Sequence, residues 1–445
     1  MSVNFDIKSK KRSILFFNFG RNPHLSFTEL LFYLKDNNVS FNIVEYLKPI
    51  IIIEVIGDFN LSHVAENLSS IVKCGIVISL KKIENINNLI LNFSNREDYQ
   101  ENNGLTNNEY NEQSLKLTDL VENFNEILAL ETNNFNYSLS LYGFEEYFEE
   151  AYEFFSTIIE HHLKKEFSSS LKITLKHPKP TSLVRYMKRA GFYDFSIIKS
   201  KSFKDLIYFC KTEGAYDISL SKNKYEKRPF VDETIGTSIR IAKLLINLAG
   251  VKPGNIVLDP FCGLGTILQE ALLNGCNVIG SDISDTRVLQ CKENLKWISK
   301  KFNLKNEFHI FQSDVKKILT KLKLKSIDAI VTEPELGPLL KKLPNEKEAR
   351  KIITNLISIY SPFFKIASEL LKPNGRLVII LPKIRTPKQK FGLPINSFLI
   401  GTRLKIYNLF DSKDFTSIER NLKIPLIYRE KWHKIERWIY VFRKF

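Results

Sequence analysis

Residues 255–267, NIVLDPFCGLGTI, constrain the fold of this chain more than any other stretch. A run of β-formers ends in Asp259, and a glycine-rich turn opens at once into a helical pattern. Strand–helix units then repeat through NVIGSDIS, FHIFQSD, DAIVTEP and RLVIILP, followed by IYNLF and WIYVFRK. Apolar strands alternating with helices predict a mostly parallel, doubly wound α/β sheet. No helical crossover separates the last two strands, which predicts an antiparallel hairpin at that edge.

In an open sheet of this kind, ligands bind beyond the carboxyl ends of the strands. Asp259 stands at such an end, and Gly263 and Gly265 remove side chains where a ligand must approach the backbone. A dinucleotide turn needs a third glycine where this chain has Leu268, and an acid before the turn would repel a pyrophosphate. A phosphate-binding GxxxxGK[ST] loop is absent. The acid suits a ligand that carries a cation, such as the amino group of S-adenosylmethionine. The next strands also end in acids. Asp282 is placed to accept both ribose hydroxyls, and Asp314 to meet the adenine amine. Any one of these could be only a helix N-cap. Three in succession favour a nucleoside.

At 445 residues the chain is long enough for two or three domains. Its net charge of +16 points to an acidic partner such as nucleic acid. The charge alternates along the chain. Residues 96–153 hold 14 acidic and 2 basic residues, 161–204 hold 11 basic and 2 acidic, and 383–445 hold 15 basic and 5 acidic. A compositional bias would be spread more evenly. Five scattered cysteines, with no CxxC pair and no Cys/His cluster, predict reduced thiols, a cytoplasmic location and no metal site. The longest apolar run, near 49–57, is too short to cross a membrane and reads as a buried strand.

Upstream of the glycine turn, residues 1–90 read as a β-α-β-β-α-β ferredoxin-like domain, with Ser26 as an N-cap and Glu29 closing a capping box. Residues 91–115 read as a flexible insertion, followed by a helix over TDLVENFNEILAL. Residues 116–215 form a basic α/β domain, 216–230 a linker, and 231–445 the doubly wound domain. In the basic domain Lys172, Lys176, Lys179, Arg185, Lys188 and Arg189 lie on a strand and a following helix, placed for phosphate contacts.

The segment DPFCGLGTILQEALLNGCNVIGSDIS resembles the cofactor motif of the THUMP-domain tRNA guanine N2-methyltransferases, which modify position ten of tRNA. KYEKRPFVDETIGTSIRIAKLLINLA, ILFFNFGRNPHLSFTELLFYL and WIYVFRKF are similar to that family's lead-in, N-terminal region and closing strand. The resemblance implies a Rossmann-like class I methyltransferase domain with a mostly parallel seven-stranded sheet, preceded by ferredoxin-like and THUMP-like domains. It implies S-adenosylmethionine bound by Asp259, Pro260, Phe261, Gly263, Gly265, Thr266, Asp282 and Asp314. It also implies that residues 116–215 hold the acceptor end of tRNA, and it allows a small activator subunit as a second partner.

The family's D/N-P-P-Y/F motif falls on Glu333, Pro334, Glu335 and Leu336. By resemblance, Glu333 and the Pro334 carbonyl accept hydrogen bonds from the target amine, and Glu333→Asp, the family's usual acid, is expected to keep or raise activity. The departures at Glu335 and Leu336 leave two other readings beside a guanosine-N2 enzyme. One is a ribosomal RNA or DNA amino-methyltransferase. The other is a catalytically inactive RNA-binding protein that retains the cofactor pocket.

Overall fold

The computed structural model describes residues 12–57, 59–94, 134–167, 171–232, 236–408, 424–428 and 433–445. Contacts divide the chain into two units. One takes its described residues from 1–21, 39–67 and 71–221, the other from 22–38, 68–70 and 222–445.

The N-terminal elements follow the expected order: β1 (Arg12–Phe19), α1 (Pro23–Asp36), β2 (Ser40–Leu47), β3 (Ile50–Ile56), α2 (Leu61–Asn67) and β4 (Ile71–Lys82). Their strands pair as β2-β3-β1-β4, the ferredoxin-like order. The isoleucine run of β3 is buried on both faces, which explains why it is continuous rather than alternating. Next come α3 (Ile86–Ser94), β5 (Asn134–Tyr142), α4 (Phe148–Glu166), β6 (Lys172–Leu175), α5 (Leu183–Met187), β7 (Phe192–Lys199) and β8 (Leu206–Ala215).

Two expectations change in this unit. Antiparallel pairing of β4 with β8 joins the two stretches read as separate domains, 1–90 and 116–215, into one eight-stranded sheet. The boundary at residue 90 also moves: α3, anchored by fully buried Ile86 and Ile90 one turn apart, runs on to Ser94, four residues into the stretch read as a flexible insertion. The helix expected over 118–130 lies outside the described residues.

The second unit comprises α1 and the elements from α7 onward. These are α7 (Ile239–Ala249), β9 (Ile256–Asp259), α8 (Thr266–Leu273), β10 (Asn277–Asp282), α9 (Asp285–Phe302) and β11 (Phe308–Gln312). A 3-10 turn (Val315–Thr320), β12 (Ile327–Thr332), α10 (Glu346–Leu370) and β13 (Leu371–Arg385) follow. The rest is short β14 (Lys390–Gly392), α11 (Ile395–Leu399), β15 (Leu404–Ile406), β16 (Leu426–Tyr428) and long β17 (Ile435–Lys444). The stretch read as a linker contains a helix of its own, α6 (Ile218–Tyr225).

The main path of the sheet is β11-β10-β9-β12-β13-β17-β15, with β14 and β16 added beside β13 and β17. β9 to β13 are parallel. β17 enters antiparallel between β13 and β15, giving the expected antiparallel edge, but β15 ends at Ile406 and β16 intervenes in sequence, so the edge is not a simple hairpin. Strand order reverses beside β9, so the carboxyl ends of β9 and its neighbours form the crevice where such sheets bind ligands.

Local chemistry fixes the helices around this crevice. Ser238 caps α7 by accepting from Ile241 N–H, and Gly250 closes it in the left-handed region at φ +63°. A Cβ on Gly250 would stand 2.4 Å from both Asp36 Oδ2 and Arg376 Nη1. Those two side chains form a fork, with Arg376 donating to Asp36 at 2.6 and 2.7 Å. Ser26 is not the cap of α1. The helix starts at Pro23, and Ser26 Oγ donates to the Asn22 and Ser70 carbonyls from inside it. Glu29, fully buried, accepts from Ser69 N–H, Ser69 Oγ and Asn247 Nδ2 instead of closing a capping box.

Candidate active site

The carboxyl ends of β9, β10, β11 and β12 open onto one cavity of about 900 Å³. Asp259, Asp282, Asp314 and Glu333 all line it, together with Pro260, Phe261, Gly263, Thr266 and Pro334. Of the residues expected to hold the cofactor, only Gly265 lies outside the lining.

The three strand-end aspartates have different jobs. Asp259 is 2% exposed and accepts from Thr332 Oγ1 at 2.6 Å and from Phe261 N–H at 3.1 Å. Burial pushes its carboxyl up to about 7; the two hydrogen bonds oppose the shift, and the charges of Asp282 and Glu333 add to it. It caps no helix, since α8 begins after Gly265. Asp282 does not cap α9 either, because Ser284 does. Asp282 Oδ2 accepts from Gly263 N–H at 3.0 Å and Oδ1 from Ser284 N–H at 2.9 Å. A carboxylate has about four lone-pair positions, so roughly two remain for ligand hydroxyls. Asp314 does cap the 3-10 turn, accepting from Lys316 N–H at 2.9 Å, while also lining the cavity.

The two glycines are needed for different reasons. At Gly263, φ is +50° and no atom beyond its two chain neighbours lies within 4 Å of where a Cβ would stand, so the turn leaves a cradle on the cavity side. At Gly265, φ is +79° and a Cβ would meet Cys291 Sγ at 2.6 Å. The first glycine leaves open space on the cavity wall, and the second lets α9 pack against the turn. This donor set fits a nucleoside carrying a cationic group: open backbone, carboxylate lone pairs at two strand ends, and a third, buried carboxylate. Cys262 is buried, and its hydrogen bond to Cys291 and its burial push its thiol well above the usual range, which disfavours the thiolate. Phe261 packs edge-on against Phe363, Pro260 accepts from Ser281 Oγ at 3.3 Å, and Thr266 Oγ1 accepts from Arg228 at 3.5 Å.

Beyond β12, Pro334 is buried, Glu335 is exposed and Leu336 half-buried. Tyr360 OH holds the Glu335 carbonyl at 2.8 Å, fixing the backbone of the motif. The Glu333 side chain is 6% exposed, and both of its oxygens are engaged. Oε1 accepts from Arg437 Nε at 2.6 Å and Oε2 from Thr237 Oγ1 at 2.6 Å. Sequence reasoning missed both partners, as well as His433 and the Asp232–Arg287 ion pair on the cavity wall. The available signals were the lead-in resemblance over 224–249, which contains Asp232 and Thr237, and the basic character of the C-terminal stretch, which contains His433 and Arg437.

The six basic residues singled out in the sequence lie in the other unit. Lys172, Lys179, Arg185, Lys188 and Arg189 are exposed, and Lys176 is half-buried. Lys172 begins β6 and Arg185 lies in α5, which ends at Met187, so Lys188 and Arg189 follow the helix instead of lying on it. Arg189 covers the Tyr186 ring at 4.7 Å, and Lys188 lies 3.8 Å from Asp217. Among the described residues no cluster of His, Cys, Asp and Glu could hold a metal ion, and no helix is long and apolar enough to cross a membrane.

The sheet order, with acids at successive strand ends around one cavity, defines a Rossmann-like methyltransferase domain. A family model described as "RMKL-like, methyltransferase domain" matches residues 228–393, and one described as "DNA methylase" matches 50–293, ending before the Glu333 motif. The chain belongs to the tRNA guanine-10 N2-methyltransferase family. It is 39% identical over 145 residues to a Methanothermococcus thermolithotrophicus protein named as a probable tRNA (guanine(10)-N2)-dimethyltransferase, covering 31% of this chain and 77% of that one. A Methanothermobacter thermautotrophicus tRNA (guanine(10)-N2)-dimethyltransferase is 33% identical over 44% of this chain and 51% of its own length. The Homo sapiens U6 snRNA (guanine-N(2))-methyltransferase THUMPD2 is 29% identical over 37% of this chain and 30% of its own. The chain thus spans about half the length of the Methanothermobacter relative and less of the human one.

Proposed function

We propose that this protein is an S-adenosylmethionine-dependent RNA methyltransferase acting on the exocyclic N2 amine of a guanosine, position ten of tRNA being the reading its relatives favour. One observation carries this: four strand-end acids, Asp259, Asp282, Asp314 and Glu333, face one cavity beside the open cradle at Gly263. When bound, S-adenosylmethionine supplies an electrophilic methyl group. Asp282 would hold its ribose hydroxyls, Asp314 its adenine amine and Asp259 its ammonium group, while Gly263 leaves room for the ligand at the backbone. Glu333 and the Pro334 carbonyl would accept the hydrogens of the target amine, freeing its lone pair from conjugation with the ring. The target base must leave the helical stack to reach this cavity.

The basic surface of residues 172–189, in the THUMP-like stretch 116–215, would hold the RNA through phosphate contacts. A second substrate of the same chemistry, a small nuclear RNA, is suggested by the human relative's name. Labelled-methyl transfer to tRNA transcripts, followed by nucleoside analysis, tests the reading. N2-methylguanosine at one position is the expected product. Methylated adenosine or cytidine would shift the substrate class, and no transfer to any RNA would leave a binding protein.

A further inference from the structure

The acid of the fourth strand is held, not free. A glutamate has three side-chain torsions to fix, and a reactive constellation must be held to within about half an ångström. Here three separate elements converge on one carboxylate. Glu333 follows the tip of β12. Thr237 directly precedes the cap of α7. Arg437 stands on β17, opposite Pro382 of β13. Arg437 Nε at 2.6 Å is a charge-assisted bond, and Thr237 Oγ1 at 2.6 Å anchors the second oxygen. The arginine also offsets an electrostatic cost. Glu333 shares its cavity with Asp259 and Asp282, and a buried carboxylate without a partner is strongly disfavoured.

We infer that Arg437 and Thr237 are positioning residues for methyl transfer: together they hold the Glu333 carboxylate oriented so that its remaining lone pairs face the target amine. This rests on the methyltransferase reading of the same cavity. The arrangement explains how a side chain as long as glutamate can be held in one geometry, because two anchors fix both of its oxygens. It also reverses the expectation for Glu333→Asp. A shorter side chain cannot reach both Arg437 and Thr237 in this geometry, so aspartate should lower activity rather than keep or raise it.

The test is a double-mutant cycle with three readouts: single-turnover methylation of tRNA at saturating ligands, dissociation constants for tRNA and cofactor, and the melting temperature of the unliganded protein. Arg437→Met should slow methylation about 10- to 100-fold, the range of losing one preorganised polar group, while tRNA affinity changes less than about twofold. In a Glu333→Ala background the same change should cost less than about twofold. Arg437→Lys should recover part of the rate. Without ligands, Arg437→Met should lower the melting temperature, and adding Glu333→Gln should restore part of it. If Arg437→Met fails to fold, Thr237→Val reads the same expectation with a smaller loss.

An unchanged rate in both variants overturns the inference. So does a loss that persists undiminished without Glu333 and is accompanied by weaker tRNA binding, because Arg437 would then touch the RNA itself. A wild-type protein that transfers no methyl group refutes the enzymatic reading and this inference with it. An active wild type beside insensitive variants refutes the inference alone.

Discussion

The N–H of Gly263 donates to Asp282 Oδ2 at 3.0 Å, tying the glycine turn after β9 to the tip of β10. One carboxylate therefore shapes the turn and lines the cavity. Asp282→Ala should weaken S-adenosylmethionine binding by about 1–3 kcal/mol, through loss of a charged acceptor for two hydroxyls. Titration calorimetry measures it directly, and an unchanged affinity would remove Asp282 from the binding site.

Cofactor affinity should also depend on pH. The Asp259 carboxyl is pushed up to about 7, above the ordinary range of about 3.9 for aspartate. Only its ionised form attracts an ammonium group. As pH falls through 7 the group takes up a proton and the attraction is lost; as pH rises above 7 it is complete. The dissociation constant should therefore rise by up to about tenfold per unit below pH 7 and level off above it. Asp259→Asn should flatten this profile. A profile with no inflection between pH 6 and 8 in the wild type would show that Asp259 does not meet the ligand's charge.

The two glycines should separate binding from folding. Gly263→Ala puts a methyl group into open cradle space at φ +50°, costing about 1–2 kcal/mol of backbone strain and obstructing the ligand. Gly265→Ala drives a methyl group against Cys291 Sγ, 2.6 Å away, inside the packed turn. The first variant should melt within several degrees of wild type yet bind cofactor at least tenfold more weakly. The second should lose far more thermal stability. Equal melting temperatures with equal affinities would contradict the division of labour.

RNA binding should be governed by salt. Lys172, Lys179 and Arg185 are exposed, whereas Lys188 lies near Asp217. Reversing the first three to glutamate should reduce the slope of log affinity against log salt by about two to three counterions. Filter binding across a salt series measures this. If the triple variant follows the wild-type line, the phosphate-binding surface belongs to the basic C-terminal strands.

Much of the site was legible because its chemistry is local. Asp259, Gly263 and Gly265 fall within seven residues, and Asp282 and Asp314 each follow a recognisable strand. The partners of Glu333 were not legible. Arg437 lies 104 positions away and reaches it only because β17 runs antiparallel beside β13. The same reason hid the joining of the N-terminal strands: β4 and β8 pair across more than a hundred residues, and nothing in either strand names the other. Ser26 misled for the opposite reason. Its local pattern imitates a cap, yet Pro23, one turn earlier, had already started the helix, and the serine hydroxyl was recruited by the Ser70 carbonyl.

Helix α1 is built from residues that leave the ribosome early, yet its contacts belong to a unit whose sheet is made from the far half of the chain. Asp36 waits for Arg376, 340 positions later. At a synthesis rate of about 5–20 residues per second, that wait lasts roughly 17–70 s. The unit that holds the cavity therefore cannot close during translation until β13 and β17 have emerged. Nor is it a cassette. A fragment cut at residue 222 would leave Arg376 without its partner, Asn247 without Glu29 and one side of α7 bare. Any transplant of the catalytic chemistry into another protein would have to carry this early helix with it.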